Sequence, residues 1–323
     1  MAVYTPLGAE ELAALIAEYD VGELISAKGI AEGISNSNWL IDTTRTDGAT
    51  CHFVLTVYER RVDPAELPYF LALLDHLAAR GCPVPATIRD RAGVSLKRVA
   101  GKSAALIEYK WGRSPVAPTP AQAGRVGAAL AKVHLAARDF PLRRADRLSP
   151  QANLATLRRC GIAALTRIDP ALPAIVDRGE DIALRWAYGL PRSTIHSDLF
   201  PDNVLMMGSK VSGLIDFYFA CDGMMAYDLA VTHAAWCFEA VGEGYDGVVG
   251  AALISGYESV RPLEPAERAA LPLLAEGACL RFTASRVEDW LTAAPGEFRK
   301  DPMAFARRWQ FYRENGDAPF ASG

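Results

Sequence analysis

Apolar positions recur at two spacings along this chain, and the mix changes near residue 110. Residues 8 to 19 place Leu12, Leu15, Ile16 and Tyr19 at helical spacing, which predicts a short amphipathic helix. Leu24 to Ile30 and Trp39 to Ile41 then read as two strands joined by the small polar run Glu32 to Asn38. CHFVLTVY at 51 to 58, rich in β-branched and aromatic types, predicts a third strand. Asp63-Pro64-Ala65-Glu66 matches a capping box with proline at the first helical position. It opens a helix with Phe70, Leu73, Leu74 and Leu77 on one face, stopped at Gly81. Val94 to Val99 and Ala104 to Tyr109 predict two more strands around a turn at Gly101.

The segment from Lys110 to Pro120 carries Trp111-Gly112 and Pro115, Pro118 and Pro120, and marks a boundary between a β-rich lobe, 1–109, and a helical lobe, 110–323. Thr119-Pro120-Ala121-Gln122 is a second capping box. The helix it opens buries a stripe of Val126, Leu130, Val133, His134 and Ala137. His134 on that apolar face is expected to be a satisfied core residue. Residues 141 to 190 read as loop and helix, and further helices are expected over 227–238, 246–259, 265–291 and 302–314. The fold class is α+β.

At 323 residues the chain can bury a large core, and two lobes suit that length. A net charge of -4 argues against nucleic acid as a partner, since such binders carry basic surfaces. Six scattered cysteines form no metal-ligand spacing and are expected to be reduced thiols. The first residues lack a basic and apolar leader, and no apolar stretch is long enough for a membrane span, so a cytoplasmic location is expected. Gly101-Lys102-Ser103 is not a phosphate-binding P-loop, because the required upstream glycine position holds Leu96.

The chemistry concentrates in STIHSDLFPDNVLMMGSKVSGLIDFYFA, Ser193 to Ala220. Asp198, Asn203 and Asp216 follow one another across apolar runs and a Gly208-Ser209-Lys210 turn, an order that resembles the H-x-D…N…D set of kinases. Mg²⁺ takes hard oxygen ligands, so one amide and one carboxylate could clamp it against nucleotide phosphates, leaving Asp198 to orient and deprotonate an attacking hydroxyl. Taken singly, each of these residues could equally mark a turn. The tip Glu32 to Asn38, with Gly33, Asn36 and Ser37, could lie over phosphates, or be an ordinary hairpin turn, since Gly29 and Gly33 do not spell the full glycine motif.

The chain resembles the aminoglycoside phosphotransferase and choline kinase superfamily and, within it, the homoserine kinase family of many proteobacteria. Carrying residues are Lys28-Gly29-Ile30-Ala31-Glu32-Gly33, Phe53-Val54-Leu55-Thr56-Val57-Tyr58-Glu59, Ile195-His196-Ser197-Asp198-Leu199-Phe200 with Asp202-Asn203-Val204, Gly213-Leu214-Ile215-Asp216-Phe217-Tyr218-Phe219-Ala220-Cys221, Ala226-Tyr227-Asp228, Ala235-Trp236-Cys237-Phe238-Glu239 and Gly256-Tyr257 with Val260-Arg261-Pro262-Leu263. The resemblance implies a bilobal protein-kinase-like fold with an N-terminal antiparallel sheet and a mostly helical C-terminal lobe. It implies ATP and Mg²⁺ as cofactors and L-homoserine as the alcohol phosphorylated, for threonine biosynthesis.

The same resemblance makes Asp198 the catalytic aspartate and Asn203 and Asp216 the Mg²⁺ ligands. Asp228 would brace the loop that carries His196, although it also suits a helix N-terminus. Relatives usually place a phosphate-binding lysine where this chain has Thr56, so another cation must offset the phosphate charge, with Lys28, Arg60, Lys97 and Lys102 as candidates, or Mg²⁺ must do more of it. The two charges of the acceptor would need partners. Asp222, Tyr218 and Arg281 are candidates, with a turn at Asp222-Gly223 and a surface ion pair for Arg281 as the alternatives. Choline, aminoglycoside and methylthioribose kinases share the metal motif, and Thr56 also prompts a nucleotide-binding protein without catalysis.

Overall fold

The computed structural model describes residues 5–30, 36–59, 62–186, 188–294 and 299–321. The chain divides into two compact units, one of Met1–Gly112 with Ser212–Tyr218 and one of Arg113–Val211 with Phe219–Gly323.

The first unit is built on an antiparallel sheet. Its strands are β1 (Glu23–Gly29), β2 (Asn36–Thr44), β3 (Thr50–Tyr58), β4 (Thr87–Ile88), β5 (Lys97–Val99) and β6 (Lys102–Glu108), ordered β1-β2-β3-β6-β4 with β5 also on β6. Helix α1 (Ala9–Ile16) supplies Leu12, Leu15 and Ile16 to a core with Ile41, Leu55, Val57, Ala104 and Leu106. The other face carries Tyr58 and Ala105, packed with Leu67 and Leu71 of α2 (Leu67–Ala79). The Asp63 carboxylate caps the chain through the Ala65 amide at 3.0 Å, but the turn it opens is a 3-10 turn and α2 begins only at Leu67. The expected strand at Val94 shrinks to Lys97–Val99 because Asp90 takes the Ala92 and Val94 amides into a local turn.

The second unit is mostly helical: α3 (Pro120–Ala136), α4 (Pro150–Cys160), α5 (Ile162–Ile168), α6 (Pro173–Arg185), α7 (Met225–Trp236), α8 (Gly247–Glu258), α9 (Pro265–Thr292) and α10 (Met303–Asn315). The Thr119–Gln122 capping box is formed at the start of α3. Helices α3 and α8 cross closely through glycines: a Cβ on Gly256 would run into the carbonyl of Gly124, and one on Gly127 into that of Leu253. That contact sets the backbones bearing His134 and Tyr257 side by side. Two small sheets carry the remaining strands, β7 (Arg192–Ile195) with β10 (Cys221–Met224), and β8 (Val204–Met207) with β9 (Lys210–Leu214). Among the described residues no helix is long and apolar enough to cross a membrane.

Candidate active site

β7 delivers the chain into the segment His196-Ser197-Asp198, and buried side chains of α3, α7 and α9 hold it. Asp228, in the first turn of α7, is wholly buried. Its Oδ2 accepts the His196 N–H at 2.7 Å and faces His134 Nε2 at 3.0 Å, while Oδ1 accepts the Ser197 N–H at 2.6 Å. The far nitrogen of His134, Nδ1, lies 2.8 Å from the Tyr257 hydroxyl. Arg261 donates to that hydroxyl at 3.3 Å and to both oxygens of Glu267 at 2.8 Å. Every member of this row is buried and has at least one partner, as a low-dielectric interior demands, and only the Arg261 Nε lacks one. Burial alone would raise the Asp228 carboxyl. The His134 hydrogen bond, the His134 and His196 imidazoles and the His196 amide outweigh it and hold the carboxyl below its usual range.

Asp198 keeps 18% of its side chain exposed. Burial pushes this carboxyl above the ordinary range, against the opposing pull of Arg281, then His196 and Lys300. The Asp198 amide donates to His196 Nδ1 at 3.2 Å. Arg281 of α9 donates to the Ser197 carbonyl and, at 2.8 Å, to its hydroxyl, and its Nη2 stands 3.8 Å from Asp198 Oδ1. Asn203 ends the 3-10 turn Pro201–Asn203, where its Nδ2 donates to the Asp198 carbonyl at 2.7 Å and lies 3.5 Å from Asp198 Oδ2. Asp198 and Asn203 are therefore neighbours. That bond assigns the amide nitrogen and leaves Oδ1 of Asn203 as an oxygen donor for a cation.

Asp216 belongs to the first unit, just beyond β9, exposed and with φ 66° in the left-handed region. The adjoining Leu214 amide is tied to the Pro83 carbonyl at 2.6 Å. Tyr218, two residues on, packs edge-on against Tyr58 and Phe70, both at 5.6 Å between ring centroids, and its hydroxyl lies 3.4 Å from that of Tyr58. Asp222 is not in a turn but in β10, opposite Thr194, with Arg192 Nε 3.5 Å from its Oδ1. The strand forms because Gly223 leaves room for the Ile195 side chain, which a Cβ would strike. Among the described residues no three His, Cys, Asp or Glu side chains group to hold a metal.

On the sheet of the first unit, cross-strand register sorts the candidate cations by face, since directly opposed residues point the same way. Lys28 opposes Leu40, which opposes Val54 on β3, so Lys28 shares the face of Thr56. Thr56 itself is buried and donates to Asn38 Oδ1 at 2.9 Å. Lys97 opposes Ala104 and lies on the α1 face, ion-paired with Asp90 at 2.6 Å. Lys102, two positions before Ala104, faces the same way and is tied to Glu59 and, at 2.7 Å, to Thr5 Oγ1. Ser37 donates to the same Glu59 carboxylate at 2.6 Å, and Asn36 Oδ1 accepts the Glu59 amide at 3.3 Å. Gly33 and Arg60 lie outside the described residues. Sequence reading missed the Arg281–Ser197 clasp, whose partners stand 84 positions apart, and the Tyr257–Arg261–Glu267 row, whose members are four and six positions apart but reach His134 only where α8 packs on α3.

Residues 26–263 match the model of a phosphotransferase enzyme family. The chain belongs to the phosphotransferase enzyme family. It is similar to a homoserine kinase of a Chelativorans species, 47% identical over 97% of this chain and 96% of the relative. It is also similar to a homoserine kinase of a Caulobacter species, 46% identical over the whole of both chains. Among solved structures, a spectinomycin phosphotransferase in complex with ADP and spectinomycin superposes with a TM-score of 0.70 at 14% identity, over 98% of this chain and 99% of that one. The superfamily resemblance read from the motifs is borne out, and so is the kinase-like α+β fold. This member of the phosphotransferase family is an enzyme that transfers phosphoryl groups.

Proposed function

We propose that the chain transfers the γ-phosphoryl group of ATP to the side-chain hydroxyl of L-homoserine, forming O-phospho-L-homoserine for threonine synthesis in the cytoplasm. The observation that carries this reading is near-complete coverage of homoserine kinases at 44–47% identity, with the His196-Ser197-Asp198…Asn203…Asp216 order intact. The ADP held by the spectinomycin phosphotransferase supports a nucleotide as the donor.

Asp198 accepts a hydrogen bond from the acceptor hydroxyl and takes its proton as bonding to phosphorus develops. A carboxyl raised by burial is the better base for this task. By their place in the motif order, Asn203 and Asp216 would supply amide and carboxylate oxygens, the hard donors that Mg²⁺ takes. Bound there, the ion would neutralise phosphate charge. Lys28 supplies the cation that the strand-three position lacks, because of the candidates on described strands it alone shares the Thr56 face. A panel of alcohols in a coupled ADP-release assay tests the reading. L-homoserine should give the highest kcat/KM; preference for choline, an aminoglycoside or methylthioribose would replace the substrate, and no ADP with any alcohol would reject catalysis.

A further inference from the structure

Ser197 is one of three non-glycine residues with positive φ among the described residues, at 69°. A left-handed conformation costs a side-chain-bearing residue about 1–2 kcal/mol and persists only when its surroundings hold it. Here the two sides of the residue are held by different elements. Its N–H is taken by Asp228 of α7 at 2.6 Å, and its carbonyl and hydroxyl are both taken by Arg281 of α9. The carbonyl matters most, because it belongs to the peptide plane that leads into Asp198; fixing that plane fixes the direction in which the Asp198 side chain leaves the backbone.

The guanidinium is itself immobilised. Arg281 is 2% exposed, with the Phe219 ring centroid 5.4 Å and the Phe282 ring centroid 4.6 Å from its Cζ. A cation held against two aromatic rings in this way suits arginine better than lysine. With Nη1 committed to Ser197 and aromatic rings against the guanidinium, Arg281 is engaged inside the unit.

We infer that Arg281 is a positioning residue, which holds Ser197 in its left-handed conformation and so aims Asp198 at the acceptor hydroxyl. This rests on the reading of Asp198 as the base, and it replaces the expectation that Arg281 binds the acceptor carboxylate. The two roles separate kinetically. A positioning role acts on kcat, whereas a carboxylate contact acts on the acceptor KM.

The test compares Arg281→Met, Arg281→Lys, Ser197→Gly and the Ser197→Gly/Arg281→Met double variant, with Asp198→Asn assayed alongside. Arg281→Met should lower kcat about tenfold or more while both KM values stay within about threefold. Arg281→Lys, which keeps the charge and a donor, should recover part of the loss and serves if the Met variant fails to fold. Ser197→Gly adopts positive φ freely, so in the Arg281→Met background it should restore kcat severalfold. A raised acceptor KM with unchanged kcat, or additive losses in the double variant, would overturn the inference. A fully active Asp198→Asn would instead overturn the assignment of the base.

Discussion

His134 Nε2 and Asp228 Oδ2 meet at 3.0 Å with both side chains closed to solvent. The pair joins α3 to α7 and supports the two backbone amides that Asp228 binds, so the loop bearing Asp198 inherits its rigidity from the buried core of the helical unit. Removing one partner of such a buried group leaves the other uncompensated, a loss of about 3–5 kcal/mol. Asp228→Ala should therefore lower Tm strongly in a melt followed by circular dichroism, with Asp228→Asn between it and the wild type.

The same pair gives a pH signature. The Asp228 carboxyl is held below its ordinary value of 3.8 in the folded state. Its contribution to stability is thus complete above the unfolded value and is lost as pH falls below about 4 toward the folded one. Melts between pH 6 and pH 3 should show a steeper acid loss of Tm for the wild type than for Asp228→Asn; parallel curves would contradict the assignment.

Lys28 and Lys102 differ by the sheet face they occupy, and their variants should differ accordingly. Lys28→Met should raise the KM for ATP about tenfold, the size of one charge-assisted contact to phosphate. Lys102→Met should leave it within about threefold, because that ammonium is tied to Glu59 and Thr5. Initial rates at varied ATP and saturating acceptor decide between the two.

Asn203→Ala and Asp216→Asn should each shift the dependence of rate on free Mg²⁺ to higher concentration. Raising Mg²⁺ should recover more activity in these two variants than in Asp198→Asn, whose defect is in proton transfer. Rates titrated with Mg²⁺ at fixed ATP provide the check.

The α3–α8 crossing leaves no room for an added methyl. Gly256→Ala forces a methyl into the carbonyl of Gly124 and should cost about 1–3 kcal/mol by overpacking, visible as a lower urea midpoint with unchanged slope.

Local pattern was enough for the strands β1 to β3 and for the long helices α3, α8 and α9, where apolar spacing and caps agree. It failed where a tertiary contact overrode local chemistry. Asp222-Gly223 has the composition of a turn, yet β7 draws it into β10 because Ile195 fills the space above Gly223. The stretch 141 to 190 resolved into α4, α5 and α6 only in the fold, since α5 spans Ile162–Ile168 and is too short to show a period. The residues of the candidate site were legible as types in order. Of their partners only Asp228 was expected, because His134, Tyr257 and Arg281 lie on other helices and reach the segment only when those helices pack.

Asp198 and the acceptor alcohol are the two parties to the proton transfer. Transfer of labelled γ-phosphoryl from ATP to L-homoserine, followed for the wild type and Asp198→Asn side by side, measures both. Labelled O-phosphohomoserine should form with the wild type and at least about a hundredfold more slowly with the variant, at similar ATP affinity. Equal rates from the two proteins, or a folded wild type that labels another alcohol and leaves L-homoserine untouched, would contradict it.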